Sequence, residues 1–150
     1  MRFLHYRTLA CLCFALALVP TVLTAQGAQT RISTTEMVKA LQLPKAQRPL
    51  VIQIGFRVMF QQAHIPGAEY IGPGSDASAI DQLRKRMQPL PRNTFVVLYC
   101  GCCPWDRCPN VAPAAQALAA MGFTNAKVLY IPNDFGTDWA SKGYPVQKGG

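Results

Sequence analysis

Four of the six cysteines, Cys100, Cys102, Cys103 and Cys108, crowd into the single stretch C-G-C-C-P-W-D-R-C. A disulfide framework ties distant segments together, and these four cannot do that, so their concentration argues for local chemistry. Thiols at this spacing can supply a nucleophilic thiolate, exchange with disulfides, or bind a soft metal. Cys100-Gly101-Cys102-Cys103 contains a C-x-x-C pair, which can set one low-pKa thiolate against a resolving thiol. Cys100, Cys103 and Cys108, with Cys102 or an outside histidine, could make a thiolate-rich site for zinc or copper, although adjacent cysteines reach one ion with difficulty and the usual two-knuckle arrangement is absent. A structural disulfide from Cys108 to Cys102 or Cys103 would pin the loop and leave one working thiol.

The elements around the thiols say where they sit. Phe95 to Cys100 is an unbroken apolar or thiol-bearing run, which reads as a buried parallel strand because both faces are apolar. Asn110 reads as the N-cap of a helix over 111–121, so the thiol loop joins a strand's carboxyl end to a helix's amino end. In open α/β sheets ligands bind there, and a helix N-terminus favours an anion or a thiolate. Upstream, Ser33-Thr34-Thr35-Glu36 is a capping box followed by Met37, Val38 and Leu41 at helical spacing. Leu50 to Ile54 reads as a strand, 56–63 as a short helix, Glu69 to Ile71 as a brief strand, and Ile80, Leu83 and Met87 as one side of a helix ending before Pro89. Downstream, Gly122 is a left-handed C-cap with Phe123 packing back, and 126–131 is the last clear strand. The alternation calls for a small parallel sheet with helices on both faces, an α/β fold.

Length and composition agree with one domain: 150 residues, 50% hydrophobic. The amino terminus stands apart. Arg2, His5 and Arg7 precede an apolar run over 9–19, and 20–28 ends in small and polar residues, the layout of a secretory signal peptide. The expected organisation is a signal peptide over 1–25, cleaved near 25–28, and a single domain over 26–150. An uncleaved anchor is the alternative; against it, the run is short for a span and broken by Pro20. Export implies a periplasmic or secreted protein with no stable membrane association after cleavage. Without Arg2 and Arg7, 13 basic residues face 7 acidic ones, a formal charge of +6. Arg84-Lys85-Arg86 is the one basic cluster and reads as a solvated helix face, so no nucleic-acid partner is expected.

Taken in order, these stretches resemble the rhodanese family over about 33–146. His64-Ile65-Pro66-Gly67-Ala68 matches that family's turn motif, and Val96-Val97-Leu98-Tyr99-Cys100-Gly101 its active-site strand, with the catalytic cysteine at Cys100. The segment 117–123 resembles the helix that follows, while Val128-Leu129, Trp139 and Gly143-Tyr144-Pro145-Val146 resemble the closing elements. The resemblance implies a rhodanese-like sheet and sulfur transfer: a thiolate takes sulfane sulfur from a small anionic donor such as thiosulfate, holds it as a persulfide, and passes it to a thiol or a cyanide-like acceptor. No cofactor is implied. Gly101 would contribute to the cradle for the donor, and Arg107, the one basic residue in the loop, would attract it.

The sequence also departs from the family. Gln53 and Gly55 stand where an acidic residue and an arginine are usual, and Arg57 is a shifted stand-in. The loop is several residues longer than the usual cradle. Strand alignment makes Cys100 the nucleophile and loop length makes Cys102 the alternative, since the family's spacing of a cysteine, four residues and an arginine fits Cys102 to Arg107. Cys103 is a candidate resolving thiol. Phosphatases and arsenate reductases of related fold need a cysteine, five residues and an arginine, and Asp106 and Cys108 occupy the two positions that would have to supply it. Sulfur transfer is therefore the first reading. Thiol–disulfide exchange with a redox partner protein is the second, thiolate metal binding the third, and a non-catalytic binding module the last.

Overall fold

The computed structural model describes residues 30–150. The expected signal peptide and its cleavage near 25–28 lie outside the described residues, as do Cys11 and Cys13. Among the described residues, no helix is long and apolar enough to cross a membrane.

The chain alternates strand and helix: β1 Arg31–Ile32, α1 Thr34–Leu41, β2 Leu50–Gln53, α2 Arg57–Gln62, β3 Glu69–Tyr70, α3 Ala77–Met87, β4 Val96–Tyr99, α4 Val111–Ala120, β5 Ala126–Leu129 and α5 Phe135–Asp138. The strands form one sheet in the order β1-β5-β4-β2-β3, with every neighbouring pair parallel. This is the expected rhodanese-like α/β architecture. The edge strands have two residues each, which leaves little open ladder for another chain to pair with.

All four residues of β4 are buried, and their side chains alternate between two cores. Val96 and Leu98, with Cys100 just beyond, join Leu83 and Met87 of α3 and Ala114 and Leu118 of α4 on one face. Val97 and Tyr99 join Met37 of α1, Phe135 and Trp139 on the other. A central strand with a core on each face has no polar side to alternate with, which is why its sequence is a continuous apolar run.

Local signals set several boundaries. The Ser33 hydroxyl accepts from the Glu36 backbone N–H while the Glu36 carboxylate accepts from the Ser33 N–H, the full capping box. Gly122 ends α4 at φ +82°, and the Phe123 N–H donates to the Leu118 carbonyl. The basic cluster of α3 is largely answered close by: Arg84 pairs with Asp81, and Arg86 makes a two-pronged contact with Glu69 at 2.6 and 2.7 Å. His64 is a structural turn residue. Its ring stacks on Phe60, its Nδ1 lies 2.7 Å from the Phe60 carbonyl, and its backbone bridges Gln147.

Shortening Leu98, which is fully buried, would open a hole under the strand that carries the thiol loop. Leu98→Ala is expected to cost about 2–5 kcal/mol, read as a lower urea midpoint. A loss under about 1 kcal/mol would contradict the close packing between β4 and α4.

Candidate active site

The order of the sheet sets the position of the loop. From β2 the chain leaves toward β3 on one side, and from β4 it leaves toward β5 on the other, so the connections part at the carboxyl ends of β2 and β4. That is the switch point at which open α/β sheets bind ligands. Gly55 follows β2 and Cys100 follows β4, and they meet there. A Cβ on Gly55 would lie 3.2 Å from both the sulfur and the carbonyl oxygen of Cys100. Where the family usually carries an arginine, this chain has no side chain, and Cys100 packs into the space.

The loop brings the four thiols together. All four are free, and the Cys100 sulfur lies 3.1 Å from that of Cys102, which lies 3.0 Å from that of Cys103. The sulfurs of Cys100, Cys102 and Cys108 all fall within 4.8 Å of one another. Cys100 is 2% exposed, and the other three are half-buried. Gly101 makes the turn at φ +71°, and a Cβ there would come within 2.8 Å of the Phe135 Cβ. The Phe135 N–H donates to the Gly101 carbonyl, which ties the loop to α5.

Asn110 holds the other end of the loop and differs from its expected role. It stands at the N-cap position but has helical dihedrals and makes no capping bond. Its side chain is fully buried and turned to other work: Oδ1 accepts from the Ser75 N–H at 3.0 Å, and Nδ2 donates to the sulfurs of Cys100 at 3.2 Å and Cys102 at 3.7 Å. Gly74 makes this possible by its close approach, since any Cβ there would fall 2.1 Å from the Asn110 carbonyl oxygen. The amino end of α4 faces Cys108, where the backbone N–H groups of Asn110 and Val111 favour a negative charge on its sulfur.

That placement decides where the loop's charge resides. Cys108 is lowered to about 5, first by its hydrogen bond with Cys100 and then, against the cost of burial, by the N–H groups of Asn110 and Val111. The Cys100 thiol is pushed far upward, first by hydrogen bonding to Cys108, then by burial and by Cys102. Cys103 is pushed up to about 12, chiefly by burial. Cys100 and Cys108 thus behave as one unit holding a proton and a negative charge, with the charge on the sulfur at the helix end. Sequence reasoning left Cys108 to a disulfide or metal role; its place three residues before a helix start was the available signal.

Two other expected participants sit at the margins. Arg107 is exposed at the end of the short helical turn Trp105–Arg107. Arg57 spends its guanidinium over the Tyr70 ring, 5.2 Å from its centre, and on the Gly150 carbonyl. Trp105 anchors the loop: its backbone N–H donates to the Pro132 carbonyl, its ring meets Tyr130 edge-on, and the Arg31 guanidinium lies over it at 4.7 Å. Gln53 is 2% exposed, and its Oε1 lacks a hydrogen-bond partner. A neutral amide is far less costly to leave there than the family's carboxylate would be. Cys100, Cys102 and Cys108 are soft donors suited to zinc or copper. A tetrahedral zinc–thiolate site with Zn–S of about 2.3 Å separates its sulfurs by about 3.8 Å. The 3.1 Å contact between Cys100 and Cys102 is closer than that and belongs to thiols touching directly. A cleft of about 670 Å³ lined by Leu50, Phe95 and Asn93 lies at the amino ends of β2 and β4, the far end of the sheet from the thiols.

A parallel sheet that presents a cysteine where its central strand meets a helix defines a class, and the comparisons name it. The family model for the rhodanese-like domain matches residues 33–131, and the chain belongs to that family. Among solved structures, a Bacillus halodurans protein is similar at 19% identity and a TM-score of 0.59, over 80% of this chain and 77% of that one. The rhodanese-like domain of an Anabaena protein is similar at 17% identity and 0.56, over 81% and 80%. A thiosulfate sulfurtransferase from Pseudomonas aeruginosa gives 21% and 0.55, over 81% of this chain but 20% of the longer one. These likenesses are of fold. No curated protein matches the chain.

The lowered Cys108 gives a direct test. A thiol reacts as its thiolate, and a depressed pKa keeps that form present above its value and removes it below. Alkylation of Cys108 by iodoacetamide, mapped by peptide mass, should rise through a midpoint near pH 5 and level off above it. A midpoint near the ordinary value of 9.0 would show that the helix N–H groups do not hold a charge there.

Proposed function

We propose that this rhodanese-like domain is a sulfurtransferase that accepts sulfane sulfur from a small anionic donor such as thiosulfate, on Cys100, as a persulfide. The observation that carries the reading is the placement of Cys100: at the carboxyl end of β4, at the sheet's switch point, beside the Cys108 sulfur at the start of α4. Cys100 gives up its proton to the Cys108 sulfur as it reacts. It attacks the outer sulfur of thiosulfate, a new S–S bond forms, and the old one breaks with its electron pair leaving on sulfite. The Asn110 Nδ2 donor, 3.2 Å from the Cys100 sulfur, stabilises charge there. Burial strengthens each of these contacts by excluding water. The donor enters through the half-buried part of the loop, with Arg107 on its exposed side adding attraction for an anion. A thiol or a cyanide-like molecule then removes the sulfur, in a periplasmic or secreted setting after export.

Thiol–disulfide exchange is the second reading, favoured by the 3.1 and 3.0 Å contacts that run from Cys100 through Cys102 to Cys103. Intact mass separates the two. The reduced mature chain exposed to thiosulfate should gain one sulfur atom, reversed by cyanide, whenever onward reaction is blocked. A chain that neither gains sulfur nor releases sulfite but cycles between dithiol and disulfide with a protein partner would support exchange alone. Cys100→Ser should abolish sulfur loading with the fold intact by circular dichroism; retained loading would move the nucleophile to another cysteine. Arg107→Ala should raise the KM for thiosulfate about threefold and leave stability unchanged, as expected for an exposed charge. An unchanged KM would remove Arg107 from the site.

A further inference from the structure

A sulfurtransferase with one cysteine must wait for an outside acceptor, because nothing near its persulfide can attack it. This loop is built otherwise. The Cys102 sulfur stands 3.1 Å from the Cys100 sulfur, inside van der Waals contact and within the roughly 3–3.5 Å of a near-attack arrangement. The arrangement is imposed by the backbone: Gly101 at φ +71°, closed against Phe135, folds the Cys100-Gly101-Cys102 tripeptide so that both side chains turn to one side. Asn110 fastens the pair by donating to both sulfurs from a fully buried amide. Cys103 follows at 3.0 Å and Cys108 lies within reach of both members of the pair.

Resting on the sulfurtransferase reading above, we propose that Cys102 resolves the Cys100 persulfide internally, so that the domain reduces sulfane sulfur to sulfide at the expense of a dithiol reductant. Cys102 attacks the Cys100 sulfur. A Cys100–Cys102 disulfide forms, the bond from Cys100 to the outer sulfur breaks, and that sulfur leaves with the bonding electron pair. It carries away the proton that Cys102 gives up, as hydrosulfide. The two cysteines supply the two electrons that the sulfane sulfur gains. A dithiol, which in an exported protein would be a thioredoxin-like partner, then opens the disulfide by exchange and is itself oxidised. The sum is thiosulfate and dithiol going to sulfite, hydrosulfide and disulfide. Cys108, whose sulfur lies within 4.8 Å of both members of the pair, is placed to relay the proton from Cys102 to the departing sulfur. The spacing favours easy reopening, because a disulfide closed across a single residue makes a small strained ring and strained disulfides are the more readily reduced ones.

The test separates the two half-reactions by their products. Fully reduced protein, freed of reductant, is mixed with thiosulfate in the absence of any added thiol or cyanide, and sulfite, sulfide and remaining free thiols are followed. Sulfite reports persulfide formation, and sulfide reports its resolution. The expected result is one sulfite and one sulfide per chain with the loss of two thiols, and continued turnover once dithiothreitol is supplied. Cys102→Ser should still release sulfite but retain the sulfur, visible as a mass gain that cyanide removes, with sulfide lost until dithiothreitol is added. Sulfite without sulfide from the unsubstituted chain would overturn the inference and leave the sulfurtransferase reading standing. Sulfide from Cys102→Ser at the unsubstituted rate would take the resolving role from Cys102, and failure of that variant to release sulfite would make Cys102 the first nucleophile; either result overturns the assignment. No sulfite from either protein would overturn the sulfurtransferase reading, and the inference with it.

Discussion

The seat of the Cys108 sulfur at the amino end of α4, where the N–H groups of Asn110 and Val111 favour its charge, is the placement on which the rest of the loop depends. Four thiols in one loop would otherwise be four similar groups, each burying its S–H where the chain puts it. Placing a negative charge at the first turn of α4 breaks that equivalence. Cys108 is lowered, Cys100 is raised far above its ordinary range by the hydrogen bond it shares with Cys108, and Cys103 is raised by burial. The helix end does for Cys108 what it would do for any bound anion.

The core and the site meet in β4. Its alternate side chains reach opposite cores, so the strand is held on both faces, and the residue after it inherits that rigidity. Cys100 is the next inward position of the same alternation, a core residue by packing as much as a chemical group. A reacting atom built onto a strand end is placed more exactly than one on a free loop, because its backbone cannot move without disturbing both cores.

Most of the architecture was legible in the sequence because the signals were local and strong. The capping box at Ser33 and Glu36, the left-handed glycine at 122 and the continuous apolar run of β4 each correspond to one backbone requirement, and the structure meets each as read. The short helix over 56–63 and the strand over 126–131 are there in trimmed form, as Arg57–Gln62 and Ala126–Leu129. What the sequence hid were choices among competing partners. Asn110 has the residue type and position of an N-cap, but the loop carrying Gly74 and Ser75 approaches from a distant part of the chain and offers its amide a better use. Arg57 reads as a substitute for the missing arginine, yet Tyr70 and the Gly150 carbonyl are nearer calls on it. The standing of Cys108 depends on the loop's fold in three dimensions, which spacing within one stretch cannot specify.

Gly74 and Gly101 give the loop a particular kind of history. At position 74 a single added carbon would run into backbone, and at position 101 both the dihedral and the Phe135 side chain forbid it. Neither obstacle can be relieved by a neighbour changing its rotamer. Asp106 and Pro109, by contrast, are exposed and bear on no such contact. Substitutions arising over generations can therefore accumulate along the outer rim of the loop, and even alter its net charge, while the hinge of the C-G-C tripeptide and the seat of Asn110 are closed to drift. The domain can be retuned toward new donors or partners from its surface without loosening the spacing of its sulfurs.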